Sequence, residues 1–258
     1  MELVYVISGL AVGFIVGMTG VGGGSLMTPI LLFFGINPAT AVGTDLLYAA
    51  ITKAGGVLVH HRQRNIDWHL TGWLALGSLP AALLTLWVLH TWNPDVHTLN
   101  AIIKRSLGFA LMLTALAIIF KQQLLNFAHK AAPGWINMPR KAQLGATVVT
   151  GVVLGVLVTL TSIGAGALGT VAPFMLYPLM KTTRLVGTEI AHAVPLTLIA
   201  GLGHAGLGNM DWHLLGNLLL GSLPGIYVGS RLSGGVPDKY LRPFLAVMLG
   251  IVGTKLVM

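Results

Sequence analysis

Gly20-Val21-Gly22-Gly23-Gly24-Ser25 interrupts an apolar stretch at a point where a membrane helix should run on unbroken. A counterpart, Ser162-Ile163-Gly164-Ala165-Gly166-Ala167, interrupts a second apolar stretch about 142 positions later. Residues 3–19 lead into the first loop, and residues 24–35 follow it as far as Gly35-Ile36-Asn37-Pro38. Together these pieces are too long for one bilayer span of roughly 20 residues and too short for two. A broken helix or re-entrant hairpin fits them. Irregular backbone at membrane depth persists only where protein buries it or where it lines a wet cavity.

Composition sets the surroundings. Of the 258 residues, 55% are hydrophobic and 9% charged, and the mean hydropathy is +0.82. A soluble domain carries about 25% charged residues. This chain cannot cover a soluble surface, so it reads as a multi-pass integral membrane protein. The apolar runs lack the alternation and ten-residue turns of a barrel. With no cysteine, disulfides and thiolate metal sites are excluded. The net charge of +8 does not point to nucleic acid, because the basic residues sit mostly in short loops where they set topology. Met1-Glu2-Leu3-Val4 enters an apolar stretch at once, without a basic leader or cleavage site, so no removable signal peptide is expected.

The chain then repeats itself. Spans are predicted over 40–60, 68–90 and 100–120, and a basic linker fills 121–142. Val42-Gly43-Thr44-Asp45 recurs as Val186-Gly187-Thr188-Glu189. Asn65-Ile66-Asp67-Trp68-His69-Leu70 recurs as Asn209-Met210-Asp211-Trp212-His213-Leu214, and Gly77-Ser78-Leu79-Pro80 as Gly221-Ser222-Leu223-Pro224. All three pairs share one separation, 144 residues. The expected organisation is a first transmembrane repeat over 1–120, the linker, and a second repeat over 143–258.

Charge decides how the repeats face. His60-His61-Arg62-Gln63-Arg64 corresponds to His204-Ala205-Gly206-Leu207-Gly208, which has no Lys or Arg. The loop with Lys181 and Arg184 corresponds to the uncharged Asn37-Pro38-Ala39-Thr40. Excess Lys and Arg marks cytoplasmic loops, so equivalent loops face opposite sides. Lys104 and Arg105, near the outer end of their span, run against this trend. The predicted fold is an all-α polytopic membrane protein with an inverted-topology repeat. Each half holds a re-entrant hairpin and three transmembrane helices, about ten helical segments in all. Inverted repeats are a transporter architecture, with the site where the halves meet and alternating access as the mechanism.

Gly17-Met18-Thr19-Gly20-Val21-Gly22-Gly23-Gly24, Pro29 and Ala41-Val42-Gly43-Thr44 with Asp45 resemble the sulfite exporter TauE/SafE family, also called the toluene sulfonate uptake permease group. The repeated Gly-Ser-Leu-Pro and the Gly-Thr-Glu of the second half fit it too, and the resemblance covers nearly the whole chain. It implies a transporter of the bacterial inner membrane for sulfur-containing anions: sulfite, sulfoacetate or another organosulfonate. The second half departs from the glycine-rich pattern at Ser162, Ala165 and Ala167.

Helices restarting near Gly24 and Gly166 would present free N–H groups and positive dipole ends. Two such ends would converge on one small anion. The expected substrate-binding residues are Thr19, Gly22, Gly23, Gly24 and Ser25 in one loop, Thr161, Ser162, Gly164 and Gly166 in the other, and Lys53. The glycines otherwise serve close helix packing. Lys53 lies eight residues after Asp45, about two turns along the same face. It supplies a cation to the cavity, snorkels toward the cytoplasm, or pairs with Asp45. Asp45, Glu189 and His192 are read as hairpin supports or as carriers of a coupled proton. Asp67 and Asp211 are helix caps, with Trp68 and Trp212 at the interface. No metal site and no cofactor is expected.

No Walker motif, nucleophile–base pair or HExxH motif is present, so the chain reads as a secondary transporter and not an enzyme. The expected partners are the small anion, the lipid bilayer, protons as coupling ion, and further copies of the chain. An anion channel, or a carrier for a non-sulfur organic acid, is the competing reading.

Overall fold

The protein is described by a computed structural model over residues 2–19, 24–92, 94–120, 123, 139–164, 167–231 and 238–257. Among the described residues there are ten helices and no strand. The first half holds α1 (Glu2–Thr19), α2 (Gly24–Phe33), α3 (Pro38–Arg62), α4 (Trp68–Trp92) and α5 (Val96–Ile119). The second holds α6 (Arg140–Thr161), α7 (Ala167–Leu176), α8 (Thr182–Gly206), α9 (Trp212–Arg231) and α10 (Asp238–Val257). The all-helical, polytopic expectation holds. Among the described residues five helices, α3, α4, α5, α6 and α8, are long and apolar enough to cross a membrane. Their outer faces present Leu84, Trp87 and Phe109 to the surroundings, as a lipid-facing surface requires.

Local chemistry places the helix ends. Asn37 accepts a hydrogen bond from the Ala39 N–H at 3.0 Å, and Pro38 opens α3 with its φ already set. Asp67 accepts from Leu70 N–H at 3.1 Å, and Asp211 from Leu214 N–H at 2.9 Å. Both are the helix caps expected from sequence. Each predicted hairpin is a broken pair of helices, α1 with α2 and α6 with α7. At the second break Ser162 turns left-handed (φ 57°) and Gly164 follows at φ 121°, which ends α6.

Every one of the largest helix contacts joins the first half to the second: α1 with α9, α4 with α6, α3 with α8, and α5 with α10. Small residues permit the close approach. Gly77 of α4 lies against the Val148 backbone of α6, and Gly221 of α9 against the Val6 backbone of α1. The two contacts are each other's equivalents. Along the α3–α8 contact, Leu47 meets Gly201 whereas Gly56 meets Ile190. One helix advances as the other recedes, so α3 and α8 are antiparallel.

The other repeated motifs are contact points as well. Gly43 abuts the Asn209 carbonyl and Gly187 abuts the Asn65 carbonyl. Thr44 Oγ1 accepts from Asp211 N–H at 3.3 Å, and Thr188 Oγ1 from Asp67 N–H at 2.9 Å. The Gly-Thr motif of each half docks on the Asn-x-Asp motif of the other.

Candidate functional site

The antiparallel pair α3 and α8 carries a polar core. Asp45, Tyr48 and Lys53 from α3, and Glu189 and His192 from α8, are all buried. Asp45 and Tyr48 are three residues apart, as are Glu189 and His192, so each pair shares a helix face.

Asp45 accepts a hydrogen bond from the Thr28 hydroxyl of α2, and Ser162 at the end of α6 is a second side-chain neighbour. The carboxylate therefore links the restarted helix of one hairpin to the tip of the other. Glu189 packs against the restarted helix of its own hairpin. Its Cγ lies so near α7 that a Cβ on Gly169 would come within 3.2 Å of it. Asp45 thus bonds α2 and neighbours the turn after α6, and Glu189 packs against α7.

Lys53 Nζ lies 3.7 Å from Glu189 Oε1, with side-chain exposures of 7% and 5%. The antiparallel crossing brings the long Lys53 side chain within reach of Glu189, about one helical turn from the level of position 53, and its charge also acts on Asp45. Isolated charges at such depth are strongly unfavourable, so each needs the other. His192 Nε2 is 2.7 Å from Ser78 Oγ. Tyr48, its equivalent, faces Ser222, the equivalent of Ser78. The serines of the repeated Gly-Ser-Leu-Pro motif thus meet the buried ring groups of α3 and α8. Sequence reading used them only to fix the repeat register. Their signal was that two identical serines recur at a fixed separation inside apolar helices.

Among the described residues nine buried side-chain atoms meet no hydrogen-bond partner of ordinary geometry, and five belong to these residues: Asp45 Oδ1, Tyr48 Oη, Ser162 Oγ, Glu189 Oε1 and Ser222 Oγ. Each has a polar neighbour within the protein, Ser162 beside Asp45, Ser222 beside Tyr48 and Lys53 beside Glu189, so buried polar groups are here met by one another. The Ser78–His192 bond gives a direct test. Ser78→Ala leaves a buried ring nitrogen unpaired and is expected to lower stability by about 1–3 kcal/mol. Ser78→Thr, which keeps a hydroxyl, is expected to lose less, as read by thermal unfolding in detergent.

Among the expected substrate-binding residues, Gly22, Gly23 and Gly166 lie outside the described residues, as do the side chains of Thr19 and Ser25. Gly24 begins α2. The Thr161 hydroxyl is engaged by its own turn, donating to Leu157 O at 2.6 Å and accepting from Ile163 N–H at 3.1 Å. Ser162 and Gly164 form the buried turn beside Asp45. The two Asp-Trp-His sets do other work: His69 bonds Trp73 Nε1 at 3.2 Å, and His213 lies 3.2 Å from Asn217 Nδ2.

The family profile described as Sulfite exporter TauE/SafE matches residues 5–256. The chain is 43% identical over 258 residues to probable membrane transporter protein YjnA of Bacillus subtilis, covering 100% of both chains. It is 30% identical to probable membrane transporter protein YdhB of the same organism, covering 95% of each. It is 26% identical to a probable membrane transporter protein of Methanocaldococcus jannaschii, covering 95% of this chain and 92% of the other. No solved structure matches. A family match across almost the entire chain, on a multi-pass helical scaffold with a buried polar core, leads to one conclusion: the protein belongs to the sulfite exporter TauE/SafE family of membrane transporters.

Proposed function

We propose that the protein is a secondary transporter that moves a small sulfur-containing oxyanion, such as sulfite or an organosulfonate, across the bacterial inner membrane by alternating access. The observation that supports this reading is the row of buried ionisable groups along the α3–α8 pair, Asp45 against one hairpin, Glu189 against the other and Lys53 between them. In this reading the glycine loops at 20–24 and 164–166 supply N–H donors to the anion near the bilayer midplane. Lys53 supplies the cation. The anion competes with Glu189 for Lys53, and proton uptake by Glu189 or Asp45 offsets the carboxylate charge released.

The inverted repeat is part of the same proposal. Its support is the antiparallel α3–α8 pair and the reciprocal docking of equivalent motifs. Under an inverted two-fold the repeats occupy each other's environments, so exchanging the two arrangements opens the site to one side and then the other.

Proteoliposomes with an inward proton gradient provide the test. Sulfite or sulfoacetate uptake should saturate, depend on the gradient and disappear in Asp45→Asn. Unsaturated conductance would turn the reading into a channel, and uptake of lactate alone would make it a carrier for non-sulfur acids.

A further inference from the structure

Away from the polar core, a cavity of roughly 630 Å³ opens between the α3–α4 turn, the start of α6 and the α7–α8 turn. Arg64, Lys181 and Arg184 line it, with Asn65, Gln143 and Tyr177 among its other walls. We propose that this cavity is a binding site for an oxyanion group, a phosphate, sulfate or sulfonate, separate from the transport site.

Its charge balance favours an anion. Arg184 holds Asp67 at 3.0 Å, which leaves Arg64 and Lys181 facing the cavity beyond that pair. The walls are fixed, since Gln143 Nε2 donates to Leu176 O at 2.7 Å and Tyr177 Oη lies 2.8 Å from Thr147 Oγ1. The α8 N-terminus, at Lys181, has no side-chain cap, so its positive end adds to the same field.

Arg64 carries the argument further. Its φ is 56°, in the left-handed region, which is unfavourable for any residue with a Cβ. The equivalent turn of the second half has Gly208 at φ 76°, the residue such a turn ordinarily takes. Cytoplasmic loops favour basic residues, but that preference is met as well by a neighbouring position of relaxed backbone. Strain kept at one position and avoided at its equivalent points to a role for the guanidinium. The other two cations are replaced as well, Lys181 by Asn37 and Arg184 by Thr40. The anion site therefore belongs to one face of the molecule only.

An oxyanion group can come from free solute or from the headgroup of an acidic phospholipid. The full chain in detergent would be titrated with sodium sulfate calorimetrically at constant ionic strength. Phosphatidylglycerol retention would be read in parallel by native mass spectrometry. Arg64→Gly and Lys181→Gln should each weaken binding of one probe about tenfold, the effect of losing one charge-assisted contact. Arg64→Gly should also keep or raise the melting temperature, because it relieves the turn. A loss confined to sulfate identifies a solute site, and a loss confined to the lipid identifies a headgroup site. Arg62→Gln removes an equal charge outside the cavity and should leave both probes unaffected. The proposal fails if neither cavity variant changes either probe, or if Arg62→Gln weakens binding as much. Failure would leave the transport reading intact, since none of these residues touches the polar core.

Discussion

Lys53→Met should lower stability by about 3–5 kcal/mol, the usual effect of removing one partner from a buried ion pair. Lys53 and Glu189 face each other with almost no solvent around either. Removing the ammonium leaves a carboxylate without its counter-charge in a medium that solvates it poorly. Adding Glu189→Gln to Lys53→Met removes that charge and should restore most of the loss. Chemical unfolding in detergent across the double-mutant cycle measures the coupling. If the double variant is no more stable than Lys53→Met, the pair is not what holds these two groups in the core.

The second large effect is expected at Gly43. Ala ordinarily improves a helix interior by up to about 1 kcal/mol over Gly. Here its Cβ would fall on the Asn209 carbonyl, with His204 Cβ only 3.0 Å away. Backbone on the far side cannot move aside cheaply, so the sign reverses. Gly43→Ala should destabilise by about 1–3 kcal/mol or more. At Gly145 of α6 an added methyl group would meet nothing within 4 Å, so Gly145→Ala is the control and should be neutral or stabilising. Equal melting temperatures for the two variants would contradict the close docking of Gly43 on Asn209.

The all-helical scaffold and its breaks were legible because apolar runs, glycine loops and Asp or Asn-Pro starts act locally. Asp67, Asp211 and Asn37 do what their residue types favour at a helix start. The repeated motifs were visible too, but their use was not. Nothing local in Gly43-Thr44 indicates that it meets Asn209 and Asp211 of the other half. Helical periodicity placed Lys53 on the Asp45 face, and it could not supply Glu189, because that pairing depends on how far α8 slides past α3. Ser78 and Ser222 were overlooked for the same reason. A serine within an apolar helix has no local signature that distinguishes a back-bonded hydroxyl from one bonded across a helix interface.

The cross-pairing of α1 with α9 and α4 with α6 ties the folding of each half to the other. Neither repeat possesses a complete interior: each hairpin rests on a helix that the other repeat supplies. A single repeat made alone would leave its glycine-lined faces open to lipid. The two halves therefore complete each other's packing, and neither is a self-sufficient folding unit.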